Sequence, residues 1–247
     1  MTTVLKLGGS VVTEKDEPEQ VDEVSLARMA DAIAAAAVER LVVVHGGGSF
    51  GHHHAATHGV STTEGTHDPA AVADIHGAMK TLNRRVVDVL LSRDVPAVPV
   101  HPLSFGARDA AGSLTLPPNA VRTLLDEGFV PVLHGDLVAH AGQGTTVVSG
   151  DELVTSLARH LDADRVGMCS TVPGVLDAED EVIPRIEAFE DVAAALGGSD
   201  ATDVTGGMAA KVRALLGLGA PAFVFGPDAV DAFLAGADAG TRIEESG

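Results

Sequence analysis

Tryptophan and tyrosine are absent from this chain of 247 residues, and cysteine occurs once. The single cysteine excludes an intrachain disulfide. It lies in Val166-Gly167-Met168-Cys169, a setting that reads as a buried thiol acting as a small hydrophobe. No apolar run approaches the roughly 18 residues that a membrane helix needs. The start, Met1-Thr2-Thr3-Val4, has no basic segment followed by an apolar core, so no signal peptide and a cytoplasmic location are expected. Positive charge is scarce too: 16 Lys and Arg stand against 35 Asp and Glu, a formal charge of −19. Nucleic acid and anionic membranes would be repelled and are not expected as partners. Such acidity fits a surface screened by molar salt, where the Debye length is about 3 Å. A polyphosphate would be repelled as well, so cations that engage one must be local. Lys6, Lys15 and Lys211, three of the four lysines, sit in or beside glycine motifs.

Glycine is plentiful, and its densest run organises the chain. His45-Gly46-Gly47-Gly48-Ser49-Phe50-Gly51-His52 follows the apolar run Leu41-Val42-Val43-Val44. Three glycines after a β-branched run take the backbone past neighbours that a Cβ would forbid, and their bare N–H groups form an anion site. Val4 to Leu7 reads as a first strand broken at Gly8-Gly9-Ser10, with Val11 to Lys15 extended. Ser25 is placed to cap a helix running to about Arg40. Beyond the central loop a polar, His-rich stretch leads to Asp68-Pro69 and a long helix, whose stripe Val72, Ile75, Met79, Leu82 and Val86 reads first as core.

Val95 to Val100 is a strand, residues 101–118 a loop or hairpin excursion, and Asn119 the start of a helix before a strand at 129–133. Residues 135–144 suggest a hairpin, and Ser149 to Glu152 cap a helix to about Leu161. Arg165 to Cys169 is a strand, Glu187 to Leu196 a helix, and Gly206-Gly207-Met208 opens a helix carrying Lys211. A strand at 222–225, a helix from Asp228 and Gly240 to Ile243 finish the chain. This alternation predicts one α/β domain, a three-layer α/β/α sandwich on a mainly parallel sheet, with glycine loops at strand carboxyl ends.

Phosphoryl transfer needs reactants held in line and cations where charge spreads. Lys6 and Lys211 can supply those cations from opposite sides, and Asp151 is short enough to hold both. The chain lacks the phosphate loop of Gly, four residues, Gly-Lys-Ser/Thr. His53 and His54, with His58 and His67, invite a metal-site reading, but adjacent histidines on one loop rarely converge on one ion and no cysteine or close carboxylate pattern joins them, so no metal site is expected.

Lys6-Leu7-Gly8-Gly9-Ser10, His45-Gly46-Gly47-Gly48, Ser149-Gly150-Asp151, Val172-Pro173-Gly174-Val175 and Gly206 to Lys211 resemble, in order and spacing, the motifs of the amino acid kinase family. The resemblance covers the whole chain. Gly47 to His52 together with Lys15 is similar to the archaeal isopentenyl phosphate kinases within it. It implies an ATP- and Mg²⁺-dependent phosphorylation of an isoprenoid monophosphate in isoprenoid synthesis, and a homodimer. It implies an acceptor-binding lobe over about 1–145 and a nucleotide-binding lobe over about 146–247.

It further implies that Lys6 and Lys211 neutralise the phosphates, that Lys15 assists at the transition state and that Asp151 orients lysines. His52 and the N–H groups of Gly47 and Gly150 would hold the acceptor phosphate. Gly8, Gly9, Ser10, Gly48, Thr171 and Gly206 would line the nucleotide side. Ser170-Thr171 departs from the family's Thr-Asp at that place, which bears on nucleotide contacts.

A phosphate monoester is already anionic near neutral pH, so its oxygen needs a binding donor such as His52 rather than a general base. The alternatives are a kinase of another small acceptor (a fosfomycin-type phosphonate, a nucleoside monophosphate, glutamate or acetylglutamate) and a non-catalytic nucleotide-binding module. The lack of stacking rings disfavours a nucleoside monophosphate. No arginine near the central loop can clamp a second carboxylate. An isoprenoid tail needs only an apolar slot, for which Val72, Ile75 and Met79 are candidates.

Overall fold

The computed structural model describes residues 1–15, 17–36, 38–193 and 207–245. Its strands are β1 (Thr2–Leu7), β2 (Arg40–His45), β3 (Ala97–Pro99), β4 (Ala107–Arg108), β5 (Leu114–Thr115), β6 (Val130–His134), β7 (Asp136–His140), β8 (Gly144–Val148), β9 (Arg165–Cys169), β10 (Arg185–Ile186), β11 (Ala222–Phe225) and β12 (Thr241–Ile243). The helices are α1 (Gly9–Val12), α2 (Glu23–Ala35), α3 (Gly48–Thr57), α4 (Pro69–Leu91), α5 (Asn119–Asp126), α6 (Gly150–His160), α7 (Gly207–Leu216) and α8 (Val230–Leu234).

An eight-stranded sheet runs in the order β10-β12-β11-β9-β1-β2-β6-β3, and only β11 against β12 is antiparallel. A smaller four-stranded sheet, β5-β4-β7-β8, carries the hairpin expected near residues 135–144 and the excursion before it. Strand alternation sorts the core into two layers. Leu5, Val43, Val132 and Phe223 pack with α2, α4 and α8 on one face. Val4, Val42, Leu133 and Val224 pack with α5, α6 and α7 on the other. The expected three-layer architecture follows, with β1 between β2, the next strand in the chain, and β9, which comes much later. The turn of topology lies there, where β9 returns to the far side of β1, and ligands of such sheets sit outside the carboxyl ends at that point.

Several local expectations are corrected. Asp22, not Ser25, caps α2; its side chain accepts from Ser25 N, and the helix stops at Ala35. Val11 and Val12 are not extended but form the helical turn α1, because the chain after Gly8 must fold back so that Thr13 can pair with Val21. The His-rich stretch after the central glycines is a helix, α3, rather than a polar loop. Where a helix is expected from Glu187, the chain leaves β10 and forms a short 3-10 turn at Phe189–Asp191. Residues 194–206 of that region, Gly206 included, lie outside the described residues. Cys169 is buried, as its apolar neighbours predict, and burial pushes its thiol up to about 12. Among the described residues, no helix is long and apolar enough to cross a membrane.

Candidate active site

Strands β1, β2, β6, β9 and β11 end at one edge, and after the first four of them the first loop residue extends the ladder by one bond. Gly8 N donates to Cys169 O, Gly46 N to Leu7 O, Gly135 N to His45 O, and Ser170 N to Phe225 O. Two glycine loops from the adjacent strands β1 and β2 therefore lie against one another. The fit leaves no room for a side chain: a Cβ on Gly9 would stand 2.6 Å from Gly48 Cα, and one on Gly46 would stand 2.5 Å from Gly9 N. Gly48 itself has φ +50, which an L side chain rarely adopts. Thr13 locks the crossing, donating to Gly9 O at 3.0 Å and accepting from Ser49 N at 3.0 Å. Helix α3 has no side-chain cap of its own, so Thr13 from another loop serves its first turn.

Lys6 follows Val4 on the face covered by α6 and α7, and its side chain emerges at the carboxyl edge. There its Nζ lies 2.6 Å from Asp151 Oδ1 in an ion pair, while Lys211 Nζ on α7 lies 3.9 Å from Asp151 Oδ2. One carboxylate thus joins cations from strand one and from the last third of the chain. Burial pushes the Asp151 carboxyl up, but the Lys6 and Lys211 ammonium groups outweigh it and hold it below the usual carboxylate range. Asp151 stands in the first turn of α6, where the helix dipole favours an anion, and the helix start is fixed by a reciprocal Ser149 and Glu152 capping box. Glycine at 150 makes room for the lysine, since a Cβ there would come within 3.0 Å of Lys6 Cε.

Three glycines gather backbone amides beside this triad. A Cβ on Gly135 would stand 3.5 Å from Gly47 N and 3.6 Å from Gly150 N, so both amide nitrogens lie together beside the end of β6. Neither donates to any described residue. They open the first turns of α3 and α6, so two helix N-termini point at one spot, an arrangement suited to a phosphate. His52 sits one turn along α3 from Gly48 on the same face, exposed and without a hydrogen bond to any described residue.

The structure thus brings together Lys6, Asp151, Lys211, Gly8, Gly9, Gly47, Gly48 and Gly150. Ser10 lies exposed in α1, Thr171 on the loop after β9 and Lys15 on the loop between Thr13 and Val21; none of the three is in the ion pairs of the triad. Sequence reasoning missed a second group on the α4 face. His45 and His134, neighbours in register on β2 and β6, are fully buried and stack 5.6 Å apart. His101 Nδ1 lies 2.8 Å from His134 Nε2, and His76 Nδ1 donates to the buried Asp136 carboxylate at 2.9 Å. Burial pulls His134 down to about 3, so its ring is neutral. The signal was available: Val44-His45-Gly46 and Leu133-His134-Gly135 repeat one pattern, apolar strand, histidine, glycine.

His76 also lines an open groove of about 400 Å³ with Thr66, His67, Val72, Gly144 and Thr145. Of the residues expected to line an apolar slot, Val72 does so. Ile75 is buried in a small cluster with Val60 and Leu137, and Met79 belongs to the main core, where it fills the space beside Gly51. On α3, His54 stands between Asp74 at 2.7 Å and Glu19 at 2.9 Å, and His58 donates to Asp74 at 2.8 Å. These tie α3 to α4 and to the Lys15 loop. Among the described residues, no group of three or more His, Cys, Asp or Glu side chains is placed to hold a metal ion.

The sequence profile of the amino acid kinase family matches residues 1–218. The chain is 68% identical to the isopentenyl phosphate kinase of Haloferax volcanii over 97% of both chains. It is 34% identical to that of Methanothermobacter thermautotrophicus, over 86% of this chain and 85% of the relative. A crystal structure of an isopentenyl phosphate kinase superposes with a TM-score of 0.84 at 29% identity, covering 98% of this chain and 99% of the other.

Proposed function

The chain belongs to the amino acid kinase family, and from that premise we propose that it transfers the γ-phosphoryl group of ATP to isopentenyl phosphate, giving isopentenyl diphosphate and ADP. The observation that carries the reading is the Asp151 carboxylate holding Lys6 and Lys211 beside two neighbouring, unspent amides. The amides of Gly47 and Gly150, with His52, bind the acceptor phosphate. Its oxygen, already anionic, attacks the γ-phosphorus in line, and the bond to the β-phosphate oxygen breaks. Lys6 and Lys211 neutralise the charge that spreads over the transferred oxygens, and Asp151 keeps both ammonium groups in place before the nucleotide arrives. Lys15 assists at the transition state.

The nucleotide's phosphates run along Gly8, Gly9, Ser10 and Gly48 toward Thr171, with the donor on the C-terminal side and the acceptor on the N-terminal side; Gly206, outside the described residues, is assigned to the nucleotide by its motif alone. Mg²⁺ brought with ATP would neutralise part of the charge on the nucleotide's phosphates. The acceptor's apolar tail lies along Val72 in the groove beside His76. The enzyme works in the cytoplasm as a homodimer, in concentrated salt.

The test is ADP production in molar potassium chloride with isopentenyl phosphate, fosfomycin, glutamate and UMP as acceptors. Turnover with isopentenyl phosphate exceeding the others at least tenfold is expected. Turnover on none of them with ATP binding intact would instead favour a nucleotide-binding module.

A further inference from the structure

We propose that His45, with Asn83 behind it, is a positioning residue that fixes the direction of the Gly47 N–H; the inference rests on Gly47 holding the acceptor phosphate, as argued above. His45 Nδ1 lies 3.0 Å from Gly46 O. A carbonyl only accepts, so Nδ1 carries the hydrogen. In a planar trans peptide the C=O and the following N–H point in opposite directions. Drawing Gly46 O back onto the imidazole therefore turns the Gly47 N–H outward, beyond the end of β2, where no described residue accepts it.

The far side of the ring supports the same tautomer. Full burial lowers the proton affinity of His45, and a neutral ring with its hydrogen on Nδ1 has an accepting Nε2. Nε2 lies 3.1 Å from the Asn83 side-chain amide, so the NH2 of that amide must face it. The same orientation gives a partner to Asn83 Nδ2, which is buried and unpaired when the amide carbonyl faces the ring. Asn83 thus selects the tautomer that holds Gly46.

His134 repeats the device one strand over. Its Nδ1 donates to Gly135 O at 2.9 Å, which leaves Nε2 to accept from His101 Nδ1. Two in-register strands end in the same turn, each ring spent on the carbonyl of the glycine that follows. An isolated core histidine would not need that duplication.

Ring-nitrogen NMR of the ¹⁵N-labelled wild type should show His45 as the Nδ1–H tautomer near neutral pH; the Nε2–H tautomer would overturn the proposal. In kinetics, His45→Leu should raise KM for isopentenyl phosphate about tenfold with KM for ATP unchanged, the loss of one well-aimed donor. His45→Asn, whose NH2 occupies the Nδ1 position, should recover most of that loss. Equal rises in both KM values, or no recovery with asparagine, would count against it. If the wild type fails on isopentenyl phosphate altogether, the kinase reading falls, while the ring tautomer still decides the direction of the peptide.

Discussion

The two faces of the central sheet meet the same cleft with different chemistry. On the α6 and α7 side, Lys6 and Lys211 bring charge and one carboxylate restrains it. On the α4 side, His45, His134, His101 and His76 bring rings that hydrogen-bond carbonyls, one another and a buried carboxylate. Alternation along β1 and β2 assigns the faces, since Lys6 follows Val4 toward α6 whereas His45 follows Val43 toward α4. The contrast separates two tasks: moving charge needs cations near the reacting oxygens, whereas holding an acceptor needs amides aimed before it arrives.

That division can be broken at four points. Lys6→Ala should cost the most, about 10²- to 10³-fold in kcat, because it removes a fixed charge from the transferred oxygens. Steady-state turnover of the folded variant checks it, and a KM effect alone would erase the distinction between the faces. His52→Ala, on the helix packed against α4, should act mainly on the acceptor, raising its KM about tenfold or more with a smaller change in kcat; a titration of isopentenyl phosphate at saturating ATP reads the split.

Ser149→Ala removes the cap of α6 and should lower stability by ~1 kcal/mol, about 2–4 °C in Tm, read by thermal unfolding. The smallest effect concerns pH. Burial pulls His54 down from its ordinary 6.5, but hydrogen bonds to Asp74 and Glu19, and their charge, outweigh this and raise it. Its contribution is therefore full below the ordinary value and fades as pH rises through the raised one. His54→Gln should flatten the fall of Tm as pH rises above the ordinary 6.5; an identical slope in both proteins would remove His54 from the account.

How much of this was legible in the sequence depends on the range of the interaction. The capping box at Ser149 and Glu152 is local and reads directly, as do the strand runs and the hairpin near residue 140. Lys6, Asp151 and Lys211 were legible as a set only because glycine motifs marked them and the family pattern joined them. Helix α3 was not legible, because its glycines and histidines have weak propensity and its first turn is served by Thr13, 36 residues upstream of Ser49. The imidazole cluster draws on β2, α4, the loop after β3 and β6, and no single window contains it. Residue type suggested surface or metal for histidine, whereas packing between two strand ends and α4 made it scaffold.

The Lys6 to Asp151 contact bears finally on how fast a nucleotide can arrive. At 2.6 Å that pair is in direct contact and largely buried, where dissolved ions screen it little, whereas the repulsion between a −19 molecule and an incoming polyanion acts through open solvent and is screened. Added electrolyte should therefore speed diffusional encounter while leaving the trap intact, the reverse of the slowing seen where opposite charges steer a reactant inward.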